Sequence, residues 1–257
     1  MICKRLLAFF LIIWIIISSG CTEQAQRLKS DGESKTMFVL GTVATIQIYD
    51  NASEEIFDKI FDRLRAIEDK MTINKENSEV IDINKSSGID FIRVSDDTFY
   101  VIEKGKFFSE LSDGGFDISI GPIVKLWNIG SEKARIPSQK ELEENMPLVN
   151  YKDIMLNESE KSVMLPNKGM KLDLGGIAKG FAVDEVVKIF KENGIKHGLI
   201  NIGGNIFVHG SRPNGEPWKI GIQDPSFSPV GDYVGVVSIS DKTIVTSGIY
   251  ERYFEEN

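Results

Sequence analysis

Cysteine and histidine are both scarce in this chain of 257 residues. The two cysteines, Cys3 and Cys21, lie within the first 21 residues, so the rest of the sequence contains no thiol. A disulfide or a cysteine-ligated metal is therefore excluded from the body of the protein. The two histidines, His197 and His209, are isolated in the sequence, and a lone histidine more often has a structural role than a catalytic one.

An excess of positive charge is also lacking. The chain has 30 Lys and Arg residues against 38 Asp and Glu residues, which gives a net charge of −8. A balance of this sign argues against a nucleic acid as the partner. The composition is otherwise that of an ordinary globular protein, with 42% hydrophobic and 26% charged residues, and no internal repeat is present.

Long hydrophobic runs are absent apart from one segment near the N-terminus. Leu6–Ile17 is apolar over twelve residues, which falls short of the roughly 20 that span a bilayer. Two basic residues precede it, and the small residues Ser18–Gly20 lead directly to Cys21. The pattern predicts a signal peptide over residues 1–20 and resembles a bacterial lipobox, which implies palmitate-type lipidation of Cys21 and attachment to the extracytoplasmic side of the cell membrane. A plain secretory signal and an uncleaved anchor are the alternatives.

The remaining sequence divides by composition and pattern into two parts. Residues 21–35 are polar and predict a flexible tether, whereas residues 36–257 contain strand-like and helix-like hydrophobic patterns. The longest helical pattern follows Ser53, with apolar residues at every third or fourth position. Near the end of the sequence, residues 234–239 and 243–246 are expected to form a hairpin. These patterns predict an α+β fold in which mixed or antiparallel sheets pack against helices.

Glycines interrupt two of the predicted strands. Thr36–Tyr49 contains Gly41, and Leu199–His209 contains Gly203-Gly204. A glycine inside a strand pattern usually marks a bulge or a close approach of the backbone to another group. The first strand is therefore expected to have a bulge or a close backbone approach at Gly41, and the second is expected to be interrupted at Gly203-Gly204.

Lys171–Asp184 joins a strand-like pattern to a helix-like pattern at Gly175-Gly176. Such a turn presents the unpaired N–H groups at the start of a helix, which carry partial positive charge and bind phosphate. Lys179 on the first helical turn can add a point charge, whereas Asp173 suits a metal, a hydroxyl or an amide donor. An ordinary strand-to-helix connection is the alternative, because neither G-x-G-x-x-G nor a Walker loop is present.

Other glycine pairs lie beside aromatic, acidic or amide side chains: Gly114-Gly115 with Phe116 and Asp117, and Gly203-Gly204 with Asn205. Each of these segments can also be an ordinary part of the core or of a bulge. Taken together, the glycine turns suit a nucleotide-like ligand but do not name it.

In their order along the chain, these segments resemble the ApbE family, the FAD:protein FMN transferases. The matching segments include Met71-Thr-Ile-Asn74, Asp113–Pro122, Lys171–Asp184, Asn201–Asn205, Trp218-Lys-Ile-Gly-Ile222 and Thr246-Ser-Gly248. The resemblance implies an FAD-binding cleft, a Mg²⁺ ion, and transfer of FMN from FAD to a Thr or Ser hydroxyl of a client protein, with release of AMP. The implied clients are extracytoplasmic electron-transfer proteins of redox-driven ion pumps of the Nqr and Rnf types.

The same resemblance assigns roles to individual residues. It implies that seven residues bind FAD: Leu40, Asn74, Gly115, Phe116, Asp117, Asp173 and Lys179. It also implies that the backbone carbonyl of Gly176 is a ligand of Mg²⁺, and it names no catalytic residue. A cation held by oxygen ligands would neutralise charge on the pyrophosphate during its cleavage.

Two departures from the family's pattern lead to further expectations. Asn74 stands where many members have an aromatic residue that stacks on the ligand, so FAD hydrolysis to FMN and AMP is expected to compete with transfer. The family continues past the position of Asn257 with a His-x-x-Asp-Pro-x-x-Gly segment and an Ala-Asp-Ala segment that carries Mg²⁺ ligands. Neither segment occurs here, which suggests a C-terminally truncated member, and we expect weak transferase activity from these 257 residues.

Two functions of other classes are the alternatives to transfer. One is an FAD-binding or FAD-hydrolysing lipoprotein without transferase activity. The other is a solute-binding lipoprotein of a transporter, which the lack of two similar α/β lobes disfavours.

Overall fold

The computed structural model describes residues 32–226 and 233–248. The predicted signal peptide, Cys21 and most of the predicted tether lie outside these ranges. Among the described residues, no helix has the length and apolar character needed to cross a bilayer. The tether prediction is wrong at its end, because Glu33–Lys35 already belong to a strand and pair with residues 46–48.

Ten strands and six α-helices form within the described ranges. The strands are β1 (Glu33–Val39), β2 (Thr42–Ile48), β3 (Ile92–Arg93), β4 (Met155–Asn157), β5 (Ser162–Met164), β6 (Gly198–Ile202), β7 (Asn205–His209), β8 (Trp218–Gln223), β9 (Tyr233–Ile239) and β10 (Lys242–Val245). The helices are α1 (Glu54–Met71), α2 (Glu79–Lys85), α3 (Asp96–Leu111), α4 (Gly121–Trp127), α5 (Gln139–Asn145) and α6 (Ala178–Glu192).

The strands form three sheets with antiparallel neighbours. The largest has five strands in the order β1-β2-β6-β7-β10, the second has the order β3-β5-β4, and β8 pairs with β9 in a separate ribbon. Together with the packed helices, these sheets confirm the predicted α+β fold.

The main core lies between the five-stranded sheet and helices α1 and α6. On β2, Ala44, Ile46 and Ile48 alternate with more exposed residues, so all three point to the same face and are fully buried. The apolar residues of both helices recur at helical spacing and contribute Phe57, Ile60, Leu64, Ile67, Ala182, Val186 and Phe190. Burial of each of the larger side chains stabilises the fold by about 1.5–3 kcal/mol. The start of α6 is therefore held firmly against one end of the sheet.

Both glycine-interrupted strands are in fact hairpins, so the prediction of one strand through Gly41 is wrong, and the interruption predicted at Gly203-Gly204 is a complete reversal of the chain. Leu40 and Gly41 turn between β1 and β2 with φ of 56° and 66°, and Gly203 and Gly204 turn between β6 and β7 with φ of 57° and 82°. Two consecutive residues with positive φ form the tight turn whose twist matches antiparallel strands. Each turn therefore reverses the chain.

The strand expected before Gly175 reduces to one isolated bridge, between Lys171 and Ile120. Its apolar residues are buried in alternation as predicted, but a side chain replaces the neighbouring strand. The amide of Asn84 bonds both the N–H and the carbonyl of Leu172, at 2.7 and 3.0 Å. This buried amide satisfies the backbone that a sheet ladder would otherwise satisfy.

The hairpin predicted between residues 234–239 and 243–246 does not form. β9 pairs with β8 in the ribbon, whereas β10 pairs with β7 at the edge of the five-stranded sheet. Asp241 has a φ of 49° and accepts a hydrogen bond from Gly210 N–H at 2.7 Å. The chain thus crosses from one sheet to the other at this turn, and β10 carries the following residues to the end of the sheet beside α6.

Candidate functional site: a cavity at the start of helix α6

A cavity of about 740 Å³ opens between the start of α6 and one end of the five-stranded sheet. Its helix wall consists of Phe116, Gly175–Ile177, Lys179 and Gly180. Its sheet wall consists of Thr42, Gly203–Asn205 and Val245–Gly248. Phe108, Leu111 and Ser112, at the end of α3, form its rim. The volume lies in the upper part of the range of about 300–1,000 Å³ that small-molecule sites occupy.

The helix wall is shaped by hydrogen bonds around the glycine bend. Asp173 Oδ1 accepts the N–H of Gly175 at 2.7 Å, and the Leu174 carbonyl accepts the N–H groups of Ile177 and Ala178 at 3.0 and 2.8 Å. The bend leads into the 15-residue helix α6. The positive end of its dipole therefore lies at the cavity, where it favours an anionic group.

Lys179 adds a positive charge to this wall. Its ammonium donates to the Gly175 carbonyl at 3.1 Å, which places the charge next to the bend. Lys179 and Gly175 are one helical turn apart, so this hydrogen bond both holds the ammonium group in place and helps to shape the bend. The wall thus combines a helix N-terminus with a lysine, which suits a phosphate or diphosphate.

Phe116 packs directly on the bend. A Cβ atom on Gly176 would lie only 2.8 Å from Cε2 of the Phe116 ring, so the ring occupies the space that a side chain at position 176 would need. The N–H of Phe116 donates to Ser112 Oγ at 2.9 Å, which ties the aromatic residue to the end of α3. The wall therefore offers an aromatic face beside the anion-binding end of the helix.

The sheet wall is built on the turn between β6 and β7. Gly204 N–H donates to Asn201 Oδ1 at 3.0 Å, and Gly203 N–H donates to the Val43 carbonyl at 3.1 Å. Asn205 follows the turn and is only 8% exposed, yet its Oδ1 atom has no hydrogen-bond partner among the described residues.

Behind the cavity, an ionic cluster ties α6 to α1 and α3. Arg63 donates two hydrogen bonds of 2.7 Å to Asp97 and one of 2.8 Å to Glu185, and Lys70 donates to Asp97 at 2.7 Å. The hydrogen bonds from Arg63 are the largest cause that holds the pKa of the Asp97 carboxyl well below its ordinary value of 3.8. The same pairing raises the pKa of the Arg63 guanidinium. The guanidinium also lies 5.7 Å from the ring centre of Phe181, on the first turns of α6.

Comparison with known proteins identifies the family. The model of the ApbE family matches residues 40–257. The chain belongs to the ApbE family.

Related ApbE proteins carry names that describe an activity. A protein of Klebsiella pneumoniae (strain 342), named FAD:protein FMN transferase, is 34% identical over 224 residues, which cover 87% of this chain and 68% of that protein. A protein of Treponema pallidum (strain Nichols) with the same name is 31% identical over 262 residues, covering 95% and 72%. These relatives are transferases by name.

Solved ApbE structures share the fold. The crystal structure of the ApbE protein of Thermotoga maritima has a TM-score of 0.79 at 30% identity and covers 88% of this chain and 73% of that chain. The flavin transferase ApbE of Vibrio cholerae has a TM-score of 0.75 at 25% identity, with 85% and 72% covered.

The structure brings three of the eight residues assigned from the ApbE resemblance into the cavity: Phe116, Gly176 and Lys179. Two others support the walls from behind. Asp173 holds the glycine bend, and Asp117 accepts hydrogen bonds from Ser119 N–H at 2.7 Å, Ser119 Oγ at 2.6 Å and Tyr151 N–H at 3.0 Å.

The other three assigned residues, Leu40, Asn74 and Gly115, are not part of the cavity lining in the described structure. Leu40 is in the β1–β2 turn and packs against the core, and its neighbour Thr42 lines the cavity instead. Asn74 is exposed in the loop after α1, where its N–H donates to Thr72 Oγ1 at 3.1 Å.

Several lining residues escape assignment from the resemblance, among them Thr42, Phe108, Leu111 and Ser112. Phe108 and Leu111 lie on α3 and are 46% and 71% exposed. Large apolar residues beyond the buried stripe of an amphipathic helix are the one sequence signal that could have indicated them.

The described part of the cavity does not fit a magnesium site on its own. None of its described lining residues is acidic, and no group of three or more His, Cys, Asp or Glu side chains that could hold a metal occurs among the described residues. Mg²⁺ prefers carboxylate, carbonyl and water oxygens in an octahedral arrangement, and here the Lys179 ammonium lies beside the backbone carbonyls of the bend. These residues fit an anion better than a cation.

Proposed function

We propose that this ApbE protein is an FAD:protein FMN transferase, which moves FMN from FAD to a Thr or Ser hydroxyl of an extracytoplasmic electron-transfer protein. The observation that carries the proposal is the helix wall. It offers a helix N-terminus, a lysine and an aromatic ring in one cavity large enough for a dinucleotide. The names of the ApbE relatives support the same activity.

The transfer exchanges the phosphoanhydride bond between the two halves of FAD for a phosphoester bond to the client. The acceptor hydroxyl oxygen forms a bond to the phosphorus of the FMN half, and the bond from that phosphorus to the bridging oxygen breaks. The bridging oxygen leaves with AMP, and the hydroxyl proton passes to water or to a base that we do not assign. Negative charge grows on the departing phosphate, where the positive end of α6 and the Lys179 ammonium stabilise it.

Two finer parts of the proposal concern the metal and the anchor. We propose that transfer depends on Mg²⁺ with the Gly176 carbonyl as one ligand, although no described lining residue supplies a carboxylate. Activity measured across MgCl₂ and EDTA titrations tests this. We also propose lipidation at Cys21. Eleven residues separate Cys21 from β1, a span of up to about 37 Å when extended, which would let the domain reach clients near the membrane. Mass spectrometry of the exported protein and of its Cys21→Ser variant tests the anchor.

The α3 rim supports a protein as the acceptor. Leu111 and Phe108 stand exposed at the cavity mouth, and Phe107 beside them is 52% exposed. Exposed apolar residues that are contiguous with a ligand cavity favour a protein partner over water. We propose that the client of the Nqr or Rnf type docks here and presents its hydroxyl to the bound FAD.

A covalent-flavin assay tests the function. The full chain is incubated with FAD, Mg²⁺ and a client domain that carries the acceptor threonine, and the denatured client is then examined for fluorescence and for the mass of one added FMN. A flavinylated client is expected. A client that stays unmodified here, but is modified in parallel by a solved ApbE relative, would contradict the proposal.

FAD hydrolysis without transfer is the second candidate, because Asn74 stands where many ApbE members have an aromatic residue. Its exposed position outside the described cavity lining weakens the case for direct stacking on FAD. Release of AMP without a client, compared between the native protein and Asn74→Tyr, separates the two functions. Equal AMP release by both proteins would remove this role of Asn74.

A further inference from the structure

The side-chain amide of Asn205 is buried beside the cavity, and the described residues do not satisfy its hydrogen-bonding capacity. Its side chain lines the cavity, its residue is only 8% exposed, and its Oδ1 atom has no hydrogen-bond partner among the described residues. An acceptor that is buried and unpaired typically costs about 1–3 kcal/mol. Native structures contain few such groups, and those they contain require an explanation.

The backbone around Asn205 fixes its position. Asn205 is the first residue of β7 and pairs with Ile202 of β6 on one side and Val245 of β10 on the other. The preceding Gly203-Gly204 turn is anchored by Asn201 and by a hydrogen bond of 3.4 Å from Thr246 N–H to the Gly204 carbonyl. With strands on both sides, the backbone of Asn205 is fixed beside the cavity, and only rotation about the side-chain bonds could change the position of the amide.

The amide lies against the first turn of α6, where the sheet wall and the helix wall meet. Its Nδ2 atom lies 4.0 Å from the position that a Cβ atom would take on Gly180. Gly180 follows Lys179, so the amide lies beside the wall to which the proposed function assigns the diphosphate. A diphosphate carries no proton to donate at neutral pH, so Oδ1 needs a different group of the ligand.

We propose that the Asn205 amide binds a vicinal diol of the ligand beside its diphosphate. A side-chain amide accepts with its oxygen and donates with its nitrogen, and a pair of adjacent hydroxyls offers both functions in return. The match holds for either orientation of the amide. This inference rests on the proposed function, since FAD carries such hydroxyls on both sides of its diphosphate: on the ribityl chain of the FMN half and on the ribose of the AMP half.

The test combines ligand affinity with the stability of the ligand-free protein. Asn205→Leu keeps a similar shape but removes both polar atoms, so FAD affinity is expected to fall about 10–100-fold. The melting temperature of the ligand-free variant is expected to rise by about 2–4 °C, because the unpaired acceptor is gone. A residue with a purely structural role would lower stability instead of raising it.

Asn201→Leu is the matched control. Asn201 lies on β6 just before the same turn, but its Oδ1 atom already accepts the N–H of Gly204. Its loss should therefore lower the melting temperature of the ligand-free protein. Asn205→Ala is a second variant in case leucine distorts the turn, and it should weaken FAD binding in the same way.

Titrations with FMN and with ADP identify which diol is bound. A loss of affinity confined to FMN assigns the ribityl chain, and a loss confined to ADP assigns the ribose. Native FAD affinity in Asn205→Leu and Asn205→Ala would overturn the inference, as would a lower melting temperature together with equal losses for FMN and ADP. Failure of the native protein to bind FAD at all would instead overturn the proposed function.

Discussion

The two walls of the cavity are each built around a glycine pair, but they need glycine for different reasons. In the helix wall, neither Gly175 nor Gly176 has a φ in the left-handed region, and Gly176 is required because the Phe116 ring occupies the space of a side chain. In the sheet wall, Gly203 and Gly204 both have positive φ, which two-residue hairpins demand. The Gly-Gly dipeptide thus leaves space for an aromatic ring in the helix wall, and it allows two consecutive positive φ angles in the sheet wall.

Because of this difference, substitutions in the helix wall should mainly affect ligand binding, whereas substitutions in the sheet wall should mainly affect stability. A change in the helix wall alters what touches the ligand, while the hydrophobic core still holds α6 in place. A change in the sheet wall strains the turn that sets the register of β6 and β7, so it should act first on stability. Substitutions in the two walls therefore have opposite expected profiles.

The largest effect is expected in the helix wall, from Lys179→Met. Loss of the ammonium beside the bend removes a charge that stabilises the departing phosphate, and a single preorganised donor of this kind contributes about 10²-fold or more to turnover. Flavin transfer to the client, followed by fluorescence, should fall about 10²-fold with little change in melting temperature.

Lys188→Met is the control for that experiment. Lys188 lies on the same helix, but it borders a separate surface pocket with Lys59, Arg63 and Glu192. Its variant should transfer FMN at the native rate. A drop of equal size in both variants would mean that helix charge in general, and not the position of Lys179, supports catalysis.

The next largest effect is expected in the sheet wall, from Gly203→Ala. A side chain at this position must adopt a φ of +57° and would collide with Thr42 Oγ1. We expect a loss of about 2 kcal/mol in the free energy of unfolding, measured by urea denaturation, because left-handed strain costs about 1–2 kcal/mol before any collision is added.

Gly215→Ala provides the matched comparison. Gly215 also has a positive φ, of 85°, but nothing lies within 4 Å of the position of its Cβ atom. Gly215→Ala should therefore lower the free energy of unfolding by about 1 kcal/mol, which is the cost of the positive φ alone. Equal losses in Gly203→Ala and Gly215→Ala would show that Thr42 yields freely and that the sheet wall is looser than its hydrogen bonds suggest.

A smaller effect is expected from Gly176→Ala. The new methyl group would displace the Phe116 ring, whose edge can swing aside, so stability should change by less than about 1 kcal/mol. FAD affinity, measured by calorimetric titration, should fall about tenfold because the aromatic face moves. On a Phe116→Leu background the same substitution should have little further effect, since the clash is gone. Equal losses on both backgrounds would show that the ring and the bend act independently.

The sequence predicted the fold where hydrophobic periods are long and regular. The buried stripe of α1, from Phe57 to Met71, is an example. The prediction from sequence failed at the two-residue turns between strands, because a glycine in a strand pattern is compatible with a bulge as well as with a turn. Leu40 adopts a positive φ in the β1–β2 turn, a conformation that its side chain disfavours and that a propensity argument would not choose.

The sequence indicated the glycine turns of both walls as candidate ligand contacts, but it did not predict that they meet in one cavity. A glycine pair followed by a helical hydrophobic pattern predicts a helix N-terminus at the turn, and the same pattern places Lys179 on the first turn of that helix. The sheet wall depends on β10 crossing from the ribbon to pair with β7, and no local pattern encodes that long-range pairing. The sequence indicated Asn205 as a residue that contacts a ligand or belongs to a bulge, and the structure adds that its Oδ1 atom is buried without a partner among the described residues.

The smallest effect is expected behind the helix wall, from Asp97→Asn. Its pKa in the folded protein is lowered below 3.8, chiefly by hydrogen bonds from Arg63. The charged carboxylate therefore stabilises the fold above about pH 4, and this contribution is lost as the pH falls through the lowered pKa. Because Asp97 is partly exposed, solvent screens the cluster, and we expect the variant to lose only about 1 kcal/mol at pH 7.

The pH dependence tests that origin. Urea denaturation at pH 7, 5, 4 and 3 gives the free energy of unfolding of the native protein and of Asp97→Asn. The gap between these two free energies should stay constant down to pH 5 and narrow below pH 4. Glu144→Gln, which removes an exposed pair with Lys140 at 3.8 Å, should show no gap at any pH. FAD affinity should change less than twofold in Asp97→Asn, because Arg63 keeps its bond to Glu185 and α6 stays in place. A stability difference that does not narrow between pH 5 and pH 3 would show that the charge of Asp97 is not its origin. A large loss of FAD affinity would show that the cluster positions the helix wall instead of only stabilising it.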